Sequence, residues 1–311
     1  MKWEPRNYTG SPFSVAMADR LMLIPRGYST TEVWDLENGK SAGVLEGHDT
    51  YVTQAKLNEC GSLAATSSSS VVKIWSMDTL QCKATLTTEV TYDGHPICCL
   101  NDRLVIGTKV WDIAGSEPVG LMDLEGHEEP VRDCLASDTH NVVLTASNDT
   151  SLRLWDLRTG ECVRVMEGHT DQATAVDMDS ALRTAISGSS DNTAKLWDLG
   201  TGKCMDSFQH DHEVTKVGFH ESGSTFFSLT DPDTSLRCLR FFSVATADGS
   251  HRAVKTADLT AALGPQDPAL RFIQGTVAAK RDLSCFAASF EFYSNYPDGT
   301  TDTLNKIMMW V

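Results

Sequence analysis

Short runs in which apolar and polar residues alternate fill the chain, and turn residues interrupt them every few positions. Thr145-Ala146-Ser147 and Ser151-Leu152-Arg153-Leu154-Trp155 have the two-residue period of strands, and Asn148-Asp149-Thr150 between them reads as a tight turn. Arg158-Thr159-Gly160 is a second turn, followed by the strand-like run Cys162-Val163-Arg164-Val165. Each such period supplies about four short strands. A four-stranded unit cannot bury both of its faces alone, so its neighbours must stack on it.

The period itself is explicit. Arg153-Leu154-Trp155-Asp156-Leu157 returns 42 residues later as Lys195-Leu196-Trp197-Asp198-Leu199. Earlier copies end at Trp34, Trp75 and Trp111, so that successive tryptophans lie 41, 36, 44 and 42 residues apart. Weaker copies follow at Arg240-Phe241-Phe242-Ser243 and Met308-Met309-Trp310-Val311. Seven anchor positions in 311 residues give about 44 residues per repeat. A second signal precedes the anchors. Gly126-His127 and Gly168-His169 each lie 28 residues before their tryptophan, and Gly47-His48 lies 27 before Trp75. Asp149 and Asp191 fall six before, and Ser147 and Ser189 eight before.

On these residues the chain resembles the WD40 repeat family, whose Gly-His and Trp-Asp signatures recur at this period. The resemblance implies an all-β fold, a seven-bladed β-propeller of four-stranded antiparallel blades forming a single domain over residues 1–311. Phe272–Ala278, Leu283–Phe290 and Asn305–Trp310 read as three strands of a last blade that lacks its fourth. Lys2 to Tyr8 is the natural fourth strand, and its pairing closes the ring and removes an exposed edge.

The resemblance also implies a hydrogen-bonded set within each blade. Carried over, it is His127, Ser147, Asp149 and Trp155 in one blade and His169, Ser189, Asp191 and Trp197 in the next. The Trp75 blade keeps His48 and Ser67 but has Ser69 where the aspartate belongs. The Trp34 blade has Gly10-Ser11 for Gly-His and Tyr28 at the aspartate position, and Gly94-His95 has no aspartate partner in the short Trp111 blade. Ser, His and Asp together have the composition of a nucleophilic triad. A trio repeated at one spacing is a scaffold element, since an active site is unique. No phosphate loop, no metal-spaced His/Cys cluster and no serine elbow accompanies it, so the reading is not an enzyme and without cofactors.

Charge narrows the partners. The chain has 26 basic and 42 acidic residues, a net charge of −16. With no basic patch, direct nucleic-acid binding is excluded. No apolar run approaches the ~18 residues of a membrane helix. Nine cysteines, with Cys82, Cys162 and Cys204 each seven residues after a tryptophan, read as reduced core thiols of a cytoplasmic or nuclear protein. The Gly-His loops and aspartate turns share one rim, which carries Asp49, Glu128, Glu129, Asp171, Asp211, Glu213, Asp231 and Asp233. Tyr51 and Gln172 lie three residues past their histidines, and a tyrosine there is a good anchor for a partner. The function expected is a protein–protein interaction scaffold or adaptor subunit of a larger complex, binding a basic segment at that rim. The alternative is a substrate receptor of a cullin-type ubiquitin ligase, in which Trp155-Asp156-Leu157-Arg158 would place Arg158 against an adaptor.

Overall fold

Ser147 and Ser151 flank a three-residue hairpin loop that reverses the chain, with Thr150 in the left-handed region at φ 72°. On either side the β-branched and aromatic residues pair across the hairpin, Val143 opposite Trp155 and Leu144 opposite Leu154. The same construction recurs along the chain and yields only strands among the described residues. The computed structural model describes residues 6–8, 16–18, 20–26, 29–88, 96–115, 117–219, 225–230, 238–243, 252–258, 270–279, 286–295 and 301–310.

The strands are β1 (Arg6–Tyr8), β2 (Ala16–Ala18), β3 (Leu21–Arg26), β4 (Thr30–Asp35) and β5 (Lys40–Glu46). Next come β6 (Gln54–Leu57), β7 (Leu63–Ser68), β8 (Val71–Ser76), β9 (Cys82–Thr87), β10 (Ile97–Cys99), β11 (Arg103–Ile106), β12 (Lys109–Asp112) and β13 (Val119–Asp123). Then follow β14 (Val131–Ser137), β15 (Val142–Ser147), β16 (Leu152–Asp156), β17 (Cys162–Met166), β18 (Ala173–Met178), β19 (Thr184–Ser189), β20 (Thr193–Asp198) and β21 (Cys204–Gln209). The rest are β22 (Val214–Phe219), β23 (Thr225–Thr230), β24 (Cys238–Ser243), β25 (Arg252–Asp258), β26 (Leu270–Ala279), β27 (Phe286–Asn295) and β28 (Thr301–Trp310). Six sheets take four consecutive strands each, β2–β5 through β22–β25, and a further sheet has the order β1-β28-β27-β26. In that sheet the N-terminal strand pairs antiparallel with the last one, Arg6 opposite Ile307 and Tyr8 opposite Asn305. Lys2 to Pro5 lie outside the described residues.

The chain divides into two compact units, with the division falling inside β13 after Leu121. In the first, β2 and β3 lie beside β6, β10 beside β6 and β7, and β2 beside β26. In the second, β14 and β15 lie beside β18, and β18, β19 and β20 beside β22. Apolar residues fill the space between stacked sheets. Leu144, Leu154 and Met166 pack with Val176, Met178 and Trp197, and Ile186 and Leu196 pack with Val217 and Phe226. In the first unit, Ile74 and Leu86 meet Ile97 and Leu104. Side chains also stitch one sheet to the next through the backbone. Asp177 Oδ2 accepts Phe219 N–H at 2.7 Å, Asp133 Oδ2 accepts Val176 N–H at 3.3 Å, and Gln54 Oε1 accepts Ile97 N–H at 3.2 Å.

The cysteines require a correction. The seven described ones are free thiols, and Cys98, Cys99 and Cys134 are buried. Cys82 and Cys204 are exposed and Cys162 is half-buried, so the repeated cysteine is not a core residue. Each stands opposite its tryptophan at a β-bulge on the first residue of an outer strand, and its thiol donates to the carbonyl two residues on at 3.3 Å. The side chains of Cys238 and Cys285 lie outside the described residues.

Candidate functional site

Each Gly-His pair sits where an outer strand hands over to the next inner strand. Gly126 has φ 152° and Gly168 φ 153°, a region that side chains with a Cβ rarely adopt. A Cβ on Gly126 would also lie 2.6 Å from Arg153 Nη1, and one on Gly168 would lie 3.3 Å from the Trp197 ring. The glycine therefore lets the histidine turn inward over the tryptophan, with His127 and Trp155 ring centres 6.0 Å apart and His169 and Trp197 5.9 Å apart.

A directed chain of hydrogen bonds follows. His127 Nδ1 meets Asp149 Oδ2 at 2.7 Å, and His127 Nε2 meets Thr145 Oγ1 at 2.8 Å. Thr145 Oγ1 in turn accepts the Trp155 indole N–H at 2.9 Å. In the neighbouring sheet His169 Nδ1 meets Asp191 Oδ2 at 2.8 Å, His169 Nε2 meets Ser187 Oγ at 2.7 Å, and Trp197 Nε1 donates to Ser187 Oγ at 2.8 Å. Burial pulls both imidazoles below their ordinary pKa, against the opposing pull of the aspartates. Burial alone would raise the two carboxyls. The bonds from Ser151 and His127 outweigh it at Asp149, and those from Thr193 and His169 at Asp191, so both sit at about 2. An ionised aspartate takes the proton of Nδ1, so a neutral ring accepts the hydroxyl proton at Nε2.

The hydroxyl is not the one expected from sequence. Ser147 Oγ donates to the Glu129 carbonyl at 2.8 Å and accepts Asp149 N–H at 3.2 Å. Ser189 Oγ donates to the Asp171 carbonyl at 3.1 Å and accepts Asp191 N–H at 3.0 Å. These serines tie the histidine loop to the aspartate turn, and the indole acceptors lie two residues earlier on the same face, opposite the residue two before the tryptophan. Asp191, His169 and Ser187 thus have the bonding order of a nucleophilic triad. Ser187 is nevertheless 0% exposed, and its oxygen already accepts an indole proton, so it faces no substrate.

The remaining sheets vary this scheme. His48 Nε2 meets Thr66 Oγ1 at 2.7 Å, and Trp75 Nε1 donates to the same oxygen at 2.7 Å. Ser67 instead approaches Thr53 Oγ1 at 3.2 Å. Trp34 Nε1 donates to Glu32 Oε2 at 2.7 Å, and Arg26 holds that carboxylate at 2.9 Å. Ser228 meets His210 Nε2 at 3.2 Å. Trp111 has Ile106 opposite Lys109, the register position that holds Thr66 or Thr145 elsewhere, and its indole nitrogen has no hydrogen-bond partner. Gly10, Ser11, Tyr28, Gly94, His95, Asp231 and Asp233 lie outside the described residues.

In the second unit the histidine loops carry exposed carboxylates. Glu128, Glu129, Asp171, Gln172, Asp211 and Glu213 are all exposed, and so are Glu125 and Glu167, which sequence reading passed over. Segments 124–130, 167–172 and 210–213 contain no Lys or Arg. Ser190 Oγ, in the turn after β19, donates to Glu213 Oε2 at 3.2 Å, so that turn and the loop before β22 lie at one end of their sheets. The opposite sheet ends carry both signs, with exposed Glu161 and two arginines beside aspartates. Arg158 is 66% exposed and forks onto Asp156 through Nε at 3.1 Å and Nη2 at 3.0 Å. Arg183 is 77% exposed and lies 3.8 Å from Asp179. In the first unit the corresponding loop presents exposed Asp49 and Tyr51, the latter 40% exposed.

Among the described residues no cluster of His, Cys, Asp and Glu has the arrangement of a metal site, and no helix is long and apolar enough to cross a membrane. The WD40 family profile, described as WD domain, G-beta repeat, matches residues 39–76, 119–156 and 160–198. Mitochondrial division protein 1 of Kluyveromyces lactis is 27% identical over 181 residues, covering 47% of this chain and 26% of that protein. F-box/WD repeat-containing protein 10 of Mus musculus is 36% identical over 89 residues, 29% of this chain and 8% of that protein. Ribosome biogenesis protein YTM1 of Meyerozyma guilliermondii is 29% identical over 129 residues, 41% of this chain and 27% of that protein. The chain thus spans less than a third of the length of each of these relatives. Antiparallel four-stranded sheets, the buried His–hydroxyl–Trp set and three profile matches agree: the chain carries WD40 repeats at residues 39–76, 119–156 and 160–198.

Proposed function

We propose that this chain is a non-enzymatic interaction module, a scaffold or adaptor subunit that holds a basic segment of another protein against its acidic histidine-loop rim. The observation that carries the reading is the sorting of charge in the second unit. In the histidine segments 124–130, 167–172 and 210–213 the charged residues are carboxylates, flanked in the first of them by Arg132 and Arg153, whereas Arg158 and Arg183 stand at the other end beside Asp156 and Asp179. Like charges gathered on one rim steer an oppositely charged partner and set its orientation more than they add affinity. Tyr51 is the apolar anchor beside Asp49. The burial of Ser187 supports a role without catalysis.

The relatives fit an interaction role. Their names place one in mitochondrial division, one among F-box/WD repeat-containing proteins and one in ribosome biogenesis. The seven sheets are proposed to be blades of one closed ring, with β1 completing the last blade; the pairing of Arg6 with Ile307 supports this closure. Deleting residues 1–8 then lowers the melting temperature, and an unchanged melt contradicts closure. A ligase-receptor role would ask Arg158 to leave Asp156 for an adaptor, and the intramolecular fork weighs against it. Arrays of Lys/Arg-rich peptides probed with the intact chain test the scaffold reading. Binding that weakens with salt supports it, and equal binding of neutral peptides counts against it.

A further inference from the structure

His48, His127 and His169 make the same bond at Nε2 and differ at Nδ1. His127 and His169 place Nδ1 against Asp149 and Asp191, whereas His48 Nδ1, in a residue only 6% exposed, has no hydrogen-bond partner. Its protonation follows from its neighbour. Thr66 is 0% exposed and its oxygen already accepts the Trp75 indole proton, so its own hydroxyl proton has His48 Nε2 at 2.7 Å to go to. A neutral His48 then carries its proton on Nδ1, as His127 and His169 do. An N–H donor buried without an acceptor is costly, and in the repeats of His127 and His169 an anion meets it.

The hairpin explains the difference. Between β7 and β8 the loop is Ser69-Ser70, because Ser68 pairs with Val71, whereas Asn148-Asp149-Thr150 lies between the bonded Ser147 and Ser151. The loop is one residue shorter and has no carboxylate. Ser67 and Ser68 are buried and Ser68 is bonded to Thr50 Oγ1 at 2.6 Å, while Ser69 at the tip is exposed. A phosphoserine reaches one bond further from Cβ than an aspartate does, which offsets a shorter loop.

We propose that Ser69 is a phosphorylation site whose phosphate accepts the Nδ1–H of His48. A protein kinase would transfer the γ-phosphoryl group of a nucleoside triphosphate. The Oγ–P bond forms, the bond to the diphosphate breaks, and the hydroxyl proton leaves to the kinase's base. The group carries about −1.5 to −2 charges at neutral pH, and it orders the tip as Asp149 orders its own turn. Because Ser69 follows Ser68, whose hydroxyl is bonded to Thr50 two residues past His48, its phosphate competes at high effective concentration with any carboxylate from solution.

The test installs phosphoserine at position 69 of the full chain during translation and follows the imidazole nitrogens by proton–nitrogen NMR. The unmodified chain should show His48 as the Nδ1–H tautomer. Phosphoserine 69 should move that proton downfield, slow its exchange with water, and raise the melting temperature by about 2–4 °C. Phosphoserine at exposed Ser41 should do none of these, and Ser69→Glu, which folds without the modification, should show the downfield shift in part. An Nε2–H tautomer for His48 overturns the proposal, as does an Nδ1–H resonance that phosphoserine 69 and Ser69→Glu leave unmoved. A shift produced by added acetate and not by phosphoserine 69 would assign the acceptor to a free carboxylate and overturn it as well.

Discussion

The Trp155 indole donates its proton to Thr145 Oγ1 at 2.9 Å, and the same oxygen lies 2.8 Å from His127 Nε2. One buried hydroxyl therefore serves two rings on different strands and loops. Thr145→Val keeps the shape and leaves both rings short of a partner, so it should destabilise by about 1–3 kcal/mol. Ser147→Ala removes the ties to the Glu129 carbonyl and from Asp149 N–H but leaves both rings bonded, and should cost about 1 kcal/mol. Urea unfolding of the two variants checks the order, and a larger loss for Ser147→Ala contradicts it.

The aspartate turn gives a second contrast. Asp191 accepts from His169 Nδ1, Thr170 N, Thr193 N and Thr193 Oγ1. Asp191→Ala should cost about 1–3 kcal/mol, whereas Ser69→Ala at an exposed tip should stay within about 0.5 kcal/mol. Equal melting shifts for the pair would remove the network from the account.

The tryptophans should separate by the fate of their indole protons. Trp155→Phe loses ring volume and a buried hydrogen bond, while Trp111→Phe loses volume and relieves a donor that has no partner. Calorimetry should rank Trp155→Phe as the more destabilising by about 1 kcal/mol or more. The reverse ranking would mean that the Trp111 indole is satisfied in solution.

Acid should weaken the fold in two windows. Burial, then the Lys73 ammonium, pull the His48 imidazole down to about 4, partly opposed by Asp49, while in the unfolded chain it titrates near 6.5. The unfolded state therefore binds the extra proton, and stability is full above pH 6.5 and falls as pH drops toward 4. His127 and His169 are lowered in the same direction. Asp149 and Asp191, at about 2, add stability that is present above their unfolded value of 3.8 and lost as pH falls to 2. Unfolding free energies measured from pH 7 to pH 4 should decline, less steeply for His48→Gln; a flat profile for the wild type contradicts the assignment.

How far the sequence carried this picture depends on what kind of regularity each residue obeys. The spacing of Gly126-His127 to Trp155, and its repeat at Trp197, implied all-β four-stranded antiparallel units, because backbone geometry repeats with the period. The indole acceptor escaped notice because Thr145 and Ser187 share a hydroxyl and not a letter. The serines at 147 and 189 share both and drew the assignment. Cys82, Cys162 and Cys204 recur faithfully too, yet a fixed offset says nothing about which side of an outer strand meets water. The shortened hairpin at Ser69-Ser70 showed only as the 27 residues from His48 to Trp75 against 28 elsewhere, a difference that does not say where the residue is missing. Counting back from Trp75 makes Ser69 the aspartate's substitute, but the missing residue lies inside the turn itself.

The acidic rim is tested most directly by fluorescence anisotropy of a labelled Lys/Arg-rich peptide, selected on the wild-type chain, against two variants. Glu128→Lys/Glu129→Lys/Asp171→Lys should weaken binding at least tenfold at low salt, with the difference shrinking as salt screens the charges. Arg158→Ala, at the opposite end of its sheet, should bind as the wild type does and melt at nearly the same temperature. Peptide affinity unchanged by the triple reversal, or lost with Arg158, would contradict the central claim.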